Sequence, residues 1–362
     1  MSAGTTARAR GPGDGRGPHL VTGRGVPLLV VALVLAGVAS VVASIGIGAV
    51  AVPPDRVLAV LAAHLLPGGA VPDAVDDQIV WQLRAPRAVL AVLVGAGLAV
   101  AGAALQALVR NPLADPYVLG VASGASLGAV AVLALGAGAL AGAGLATGAF
   151  AGGMLAMLAV FAMARRGGSY PPGRLVLAGI AVGYAASSAT SFLQFQVQPS
   201  RLRGIVFWLL GSVAGAQWQA LPAPAVGVVV STAVLLTQGR ALNALTLGQD
   251  AAIALGFAVG RLRLLLIVAT SVLVGAVVSV AGGIGFVGLV VPHVVRLLVG
   301  PDHRRVLPLS AVLGAVFLVW VDVVARVVSA PAELPIGIFT AAVGTPFFVW
   351  LLRRAHRVEG GA

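Results

Sequence analysis

The stretch RAPRAVLAVLVGAGLAVAGAALQALVRNPLADP, residues 84–116, decides the fold class. Between Arg87 and Arg110 lie 22 residues without a charge, and Gln106 is the one polar side chain among them. At about 1.5 Å of rise per residue this run makes a helix about 33 Å long, which matches the hydrocarbon thickness of a bilayer. Arginines stand at its two ends, where water begins. Beyond it Asn111 and Asp115 each precede a proline, and residues before proline avoid the helical region, so NPLADP reads as a turn that ends the span.

The rest of the chain extends the pattern. Of its 362 residues 59% are apolar and 9% charged, against about 25% charged in soluble domains. Mean hydropathy is +1.04. That composition supplies apolar sequence for about ten spans and excludes a soluble enzyme or a secreted disulfide scaffold; the chain has no cysteine. The net charge of +12 is scattered rather than clustered on one face, so no nucleic-acid partner is expected. Lysine is absent as well, and all 23 cationic side chains are arginine. A phosphate loop of the form G-x-x-x-x-G-K-[ST] therefore cannot occur, and ATP-driven work would need a partner.

Residues 1–25, rich in Gly, Pro and Arg, read as a disordered cytoplasmic tail. A transmembrane domain follows over 26–355, and 356–362 reads as a cytoplasmic C-terminal tail. The run 26–52 exceeds the apolar region of a secretory signal and reads as the first anchor. After a polar stretch with a surface helix at Asp55–Leu66, spans are expected at 86–108, 117–138, 142–164, 174–196, 219–238, 262–282, 285–299, 306–328 and 335–352. The expected fold is an all-α polytopic membrane protein of about ten transmembrane helices. Placing both termini in the cytoplasm puts 17 of the 23 arginines on the inner side, as the retention of cations by cytoplasmic loops requires.

Several short patterns carry little chemistry. Gly283-Ile284-Gly285-Phe286-Val287-Gly288 matches G-x-G-x-x-G but lies between spans with no preceding strand, which excludes a dinucleotide site. Gly120, Gly124 and Gly128, like Gly179 and Gly183, recur every four residues and predict close helix packing. The histidines never fall at ligand spacing and no carboxylate pair is poised for acid–base work, so neither a catalytic nor a metal site is expected.

Three segments say more: Arg84 to Gly128; Leu242-Asn243 with Leu247-Gly248-Gln249-Asp250-Ala251-Ala252-Ile253-Ala254-Leu255-Gly256; and Gly285 to Phe347, with Pro292-His293, Asp302-His303-Arg304, Asp322, Arg326 and Glu333-Leu334-Pro335-Ile336-Gly337. In this order and spacing they resemble the FecCD-type permease family, the membrane subunits of ATP-binding-cassette importers for ferric siderophores, haem or cobalamin. The resemblance covers residues 27–355. It implies a multi-pass protein of the bacterial cytoplasmic membrane and a second permease, identical or paralogous. It also implies two cytoplasmic ATPases that use the ATP, and an extracytoplasmic binding protein. No cofactor would be bound by the chain itself. Ferric siderophore is the substrate the family most often implies, with cobalamin or haem as alternatives.

The same resemblance assigns roles. Leu247, Gly248, Gln249, Asp250, Ala251, Leu255 and Gly256, within about 242–258, match the coupling segment that seats in an ATPase groove, although Gln249 stands where relatives often carry glutamate. The spacing of Gly248, Ala252 and Gly256 predicts one small-residue helix face there. Arg84, Arg87 and Arg326, on the outer side against the positive-inside bias, match arginines that meet glutamates of the binding protein. The alternative is local pairing, such as Arg326 with Asp322 one turn earlier. Asp322 is expected in a helix-end ion pair; a proton relay through Asp322, His293 and Glu333 would instead make the chain an ion-coupled secondary transporter. Ser187, Ser188, Ser191 and Gln194 are candidates for the translocation pathway.

Overall fold

The computed structural model describes residues 25–66, 73–136, 144–166 and 170–359, so the N-terminal tail with Arg8, Arg10, Arg16 and Arg24 lies outside the described residues. Its regular elements are helices. The first part of the chain forms α1 Gly25–Gly46, α2 Pro54–Leu65, the short α3 Ala74–Asp77, a π-helical segment Gln78–Arg84 and α4 Ala85–Val109. Next come α5 Val121–Leu135, α6 Leu145–Ala164, α7 Pro172–Phe195, α8 Pro199–Leu209 and α9 Pro222–Thr237. The chain then forms α10 Gly239–Thr246, α11 Gln249–Ala254, α12 Val259–Ala281, α13 Val287–Val299, α14 His303–Val327 and α15 Ile336–Glu359.

Local chemistry sets the boundaries. Proline opens α4, α7, α8 and α9, where its missing N–H costs nothing. The Asp302 carboxylate accepts the Arg304 N–H at 3.0 Å and caps α14. The NPLADP turn forms as expected: Asn111 Oδ1 accepts the Leu113 N–H and Asp115 Oδ1 the Tyr117 N–H, each at 2.9 Å.

Among the described residues six helices, counting residues Ala74–Val109 as one, are long and apolar enough to cross a membrane. A seventh crossing arises if α9 and α10, bent by 60°, form one broken span; Val121–Leu135, Val287–Val299 and Ile336–Leu351 are shorter apolar helices. Several expected boundaries move. The span expected at 117–138 opens with a 3-10 turn, Pro116–Leu119, and its helix starts after Gly120 at φ 72°; its last residues lie outside the described set. Before α9 a similar turn, Trp218–Ala220, replaces the first residues of the 219–238 span. α8 was not expected, and α15 runs through the segment read as the start of a C-terminal tail, because no glycine or proline stands between Pro346 and Glu359 to break the helix.

α4 and α12 form the centre. The most apolar window of residues 74–109 is 78% buried, whereas that of α1 is 17% buried and packs at the edge against α14. α4 contacts α14, α12, α13 and α9, while α5, α6 and α7 pack as a group joined to the centre through α12. Small residues allow these approaches: a Cβ on Gly128 would lie 2.0 Å from the Gly148 carbonyl oxygen, so α5 and α6 touch backbone to backbone, as the four-residue glycine spacing predicted.

Candidate functional site

Because α4 runs through the middle, its two ends organise two candidate sites. At its start, Arg84 Nη1 donates to the carbonyls of Ile45 at 2.8 Å and Gly46 at 3.1 Å, and Nη2 to that of Val50. These include carbonyls that the end of α1 leaves without intrahelical partners, and a cation is favoured at that end of the helix. One turn along, Arg87 joins three segments. Its Nε donates to Asp322 Oδ1 at 2.9 Å and its Nη1 to Glu333 Oε1 at 2.8 Å and Oε2 at 2.9 Å. Arg326 Nη2 donates to the Ser44 carbonyl at 3.0 Å, and its Nε lies 3.2 Å from Asp322 Oδ2 as an ion pair without an aligned hydrogen bond.

Burial grades this network. The Asp322 side chain is 2% exposed, those of Arg87 and Arg326 are 8% and 7%, and that of Glu333 is 36%. Two guanidiniums, those of Arg87 and Arg326, thus meet two carboxylates, while Arg84 is held on backbone carbonyls. The local pairing of Arg326 with Asp322 is present, and the two additional partners of Arg87 come from distant sequence. Asp322 and Glu333 both neutralise Arg87, while His293 packs edge-on against Phe347 with ring centroids 5.6 Å apart. The three groups of the considered relay are not gathered in one place.

At the other end of α4, α10 and α11 form a helix–turn–helix. Gly248 at φ 118° separates them and Gly256 at φ 84° follows α11, a backbone region that favours glycine. The one small-residue face expected of Gly248, Ala252 and Gly256 is therefore absent: both glycines leave the helix, and Ala252 is fully buried. What the turn presents is larger. Leu247, Ile253 and Leu255 are exposed, with Gln249 and Asp250 beside them, and Ala251 is half-buried. Leucine and isoleucine side chains are thereby exposed together on one turn.

On α7, Ser187, Ser188 and Ser191 are exposed and Gln194 half-buried, while Thr190 turns inward and donates to the Ala186 carbonyl at 2.8 Å. Tyr184, Phe192 and Phe195 share the exposed side. A polar and aromatic face of this kind is unlike the lipid-facing side of α1, where Leu28, Leu35 and Val38 are exposed.

The sequence model of the FecCD transport family matches residues 33–354. The chain belongs to the FecCD transport family. Among its relatives in that family is the cobalamin import system permease protein BtuC of Halobacterium salinarum, 45% identical over 275 residues, 76% of this chain and 73% of that protein. YvrB of Bacillus subtilis, an uncharacterized ABC transporter permease protein, is 42% identical over 323 residues, 88% of this chain and 91% of its own length. The vitamin B12 import system permease protein BtuC of Citrobacter koseri is 42% identical over 281 residues, 78% of this chain and 84% of its own. An inward-facing structure assigned to the metal-chelate type of ABC transporter superimposes with a TM-score of 0.79 at 35% identity, covering 91% of this chain and 99% of the other.

For a FecCD permease, both sites involve residues that sequence reasoning passed over. The backbone carbonyls of Ser44, Ile45, Gly46 and Val50 take the arginine hydrogen bonds, and no side-chain pattern announces a carbonyl acceptor. Gln106 Nε2 donates to the Gly288 carbonyl at 3.0 Å and ties α4 to α13; the isolated glutamine within an apolar run was the available signal.

Proposed function

We propose that this chain is the permease subunit of an ATP-binding-cassette importer in a bacterial cytoplasmic membrane. Two permeases, identical or paralogous, pair around a common pathway, with two ATPases on the cytoplasmic side and a binding protein delivering substrate from outside. About ten crossings with both termini cytoplasmic accord with the long helices, the bent α9–α10 pair and the shorter apolar helices. The observation that carries the reading is the exposed apolar turn around Leu247, Ile253 and Leu255 on a chain without any lysine for a phosphate loop. An energy-consuming partner needs a surface to grip, and this turn supplies one.

Arg84, Arg87 and Arg326 are the proposed docking points for the binding protein. Arg84, held on backbone carbonyls, is the cation that attracts an acidic partner, and Glu333, the more exposed carboxylate, is the one that an incoming glutamate would exchange with on Arg87. Ser187, Ser188, Ser191 and Gln194 line the proposed pathway, whose serine-rich face is neutral and suits a bulky chelate. Two of the relatives are named for cobalamin or vitamin B12 import, which sets cobalamin level with the ferric siderophore implied by the family resemblance.

Uptake into proteoliposomes tests this reading. The permease, reconstituted with its ATPase and binding protein, should accumulate cyanocobalamin or a ferric siderophore only when ATP is supplied. Accumulation without the ATPase, driven by a proton or sodium gradient, would overturn it.

A further inference from the structure

Beside the α10–α11 turn, the end of α4, α10, α13 and the start of α14 surround a cavity of about 400 Å³ that none of the proposed roles uses. Its lining includes Gln106, Arg110, Asn111, Thr246, Arg296 and His303, and no aspartate or glutamate. Arg296 Nη1 is buried there without a hydrogen-bond partner, and Gln106 Oε1 and His303 Nε2 are likewise buried and unpaired. From the start of α12, Arg263 comes within electrostatic reach of Arg110, and its own Nε has no partner.

Charge decides what such a cavity takes. Arg110 and Arg296 stand at the carbonyl ends of α4 and α13, and each helix end offsets about half a positive charge. The two guanidiniums that line the cavity then leave a surplus of roughly one, and Arg263 beside Arg110 raises it. The neighbouring Asp302 is engaged elsewhere, its Oδ1 accepting from Asn243 Nδ2 at 2.7 Å and the Arg304 N–H at 3.0 Å. Asn243 Oδ1 in turn accepts the His303 N–H at 2.8 Å and faces His303 Nδ1 at 2.9 Å, so Nδ1 carries a proton and neutral His303 offers a lone pair at Nε2. The site thus offers guanidinium donors for an oxyanion together with two acceptors, Gln106 Oε1 and His303 Nε2, for a hydroxyl.

We infer that this cavity binds a phosphate group that carries or adjoins a hydroxyl, presented either by an anionic phospholipid headgroup or as free inorganic phosphate. Basic pockets between helices at the cytoplasmic membrane surface have the chemistry of headgroup sites, and arginine pairs with phosphate through two parallel hydrogen bonds. A Cβ at Gly248 would lie 3.9 Å from Arg110 Nη1, so an occupant would fix the arginine that borders the α10–α11 turn. The inference is independent of which chelate is transported.

Two arms test it on the full chain. In detergent, inorganic phosphate titrated against chloride at equal ionic strength should raise the unfolding midpoint saturably by several degrees. In nanodiscs of phosphatidylcholine with and without phosphatidylglycerol, native mass spectrometry should find phosphatidylglycerol retained. Arg296→Gln and Arg110→Gln should each weaken the response at least tenfold; where Arg296→Gln does not fold, Arg110→Gln, at an exposed position, carries the comparison. A phosphate response alone assigns the free anion, and lipid retention alone assigns the headgroup. No saturable response to either probe, or responses in both variants equal to the parent's, would overturn the inference.

Discussion

Arg87 shows how one side chain holds distant segments and how unequal its contacts are. Losing it leaves Asp322, 2% exposed, with Arg326 alone, and a buried carboxylate stripped of a partner is costly. Arg87→Gln should therefore destabilise by about 3 kcal/mol. Glu333 is the more exposed partner, and Glu333→Gln should cost less than about 1 kcal/mol. Thermal unfolding in detergent orders the two, and equal losses would show that Asp322 does not depend on Arg87. The Arg326–Asp322 pair was legible in the sequence because four residues make one helical turn. The Arg87 contacts were not, since they depend on which helices become neighbours across 235 and 246 residues. Gly248 misled for a related reason: helical spacing describes a face only where the helix continues, and φ 118° ends it there.

Among the elements, the long uncharged runs were readable because length and apolarity are local properties. Where a helix had to be shorter or more polar, the reading faltered. α8, Pro-Ser-Arg-Leu-Arg-Gly-Ile-Val-Phe-Trp-Leu, carries two arginines in eleven residues and reads as a loop until its buried Ile205 shows which side packs. The π-helical turn before α4 has no sequence signature, yet it belongs to the segment that aims Arg84 at the end of α1. The α5–α6 contact offers a direct test of glycine packing. Gly128→Leu would drive a side chain into the Gly148 backbone and force the helices apart, with an expected loss of about 3 kcal/mol, the upper part of the overpacking range. Gly173→Ala, facing open space at the start of α7, should be neutral within about 0.5 kcal/mol. Melting temperatures of the purified variants compare them, and a tolerated Gly128→Leu would mean that α5 and α6 separate easily.

At the scale of the molecule, the two ends of α4 divide the labour between charge and apolar surface. Changing Leu247 and Ile253 together to aspartate removes exposed apolar area and no core contact, so the permease should melt as before while co-purification with its ATPase falls at least tenfold. Retention of the ATPase with normal uptake would place the coupling surface elsewhere. The Arg87 network has a consequence of another kind, set by the order in which the chain is made. Arg87 emerges from the ribosome 235 residues before Asp322 and 246 before Glu333. At about 5–20 residues per second, that interval is on the order of ten seconds to a minute. Throughout it, the Arg87 guanidinium lacks the two carboxylates that hold it in the finished fold, and this end of α4 cannot lock until the last helices arrive. Synthesis of α4 and closure of its Arg87 network are therefore separated in time.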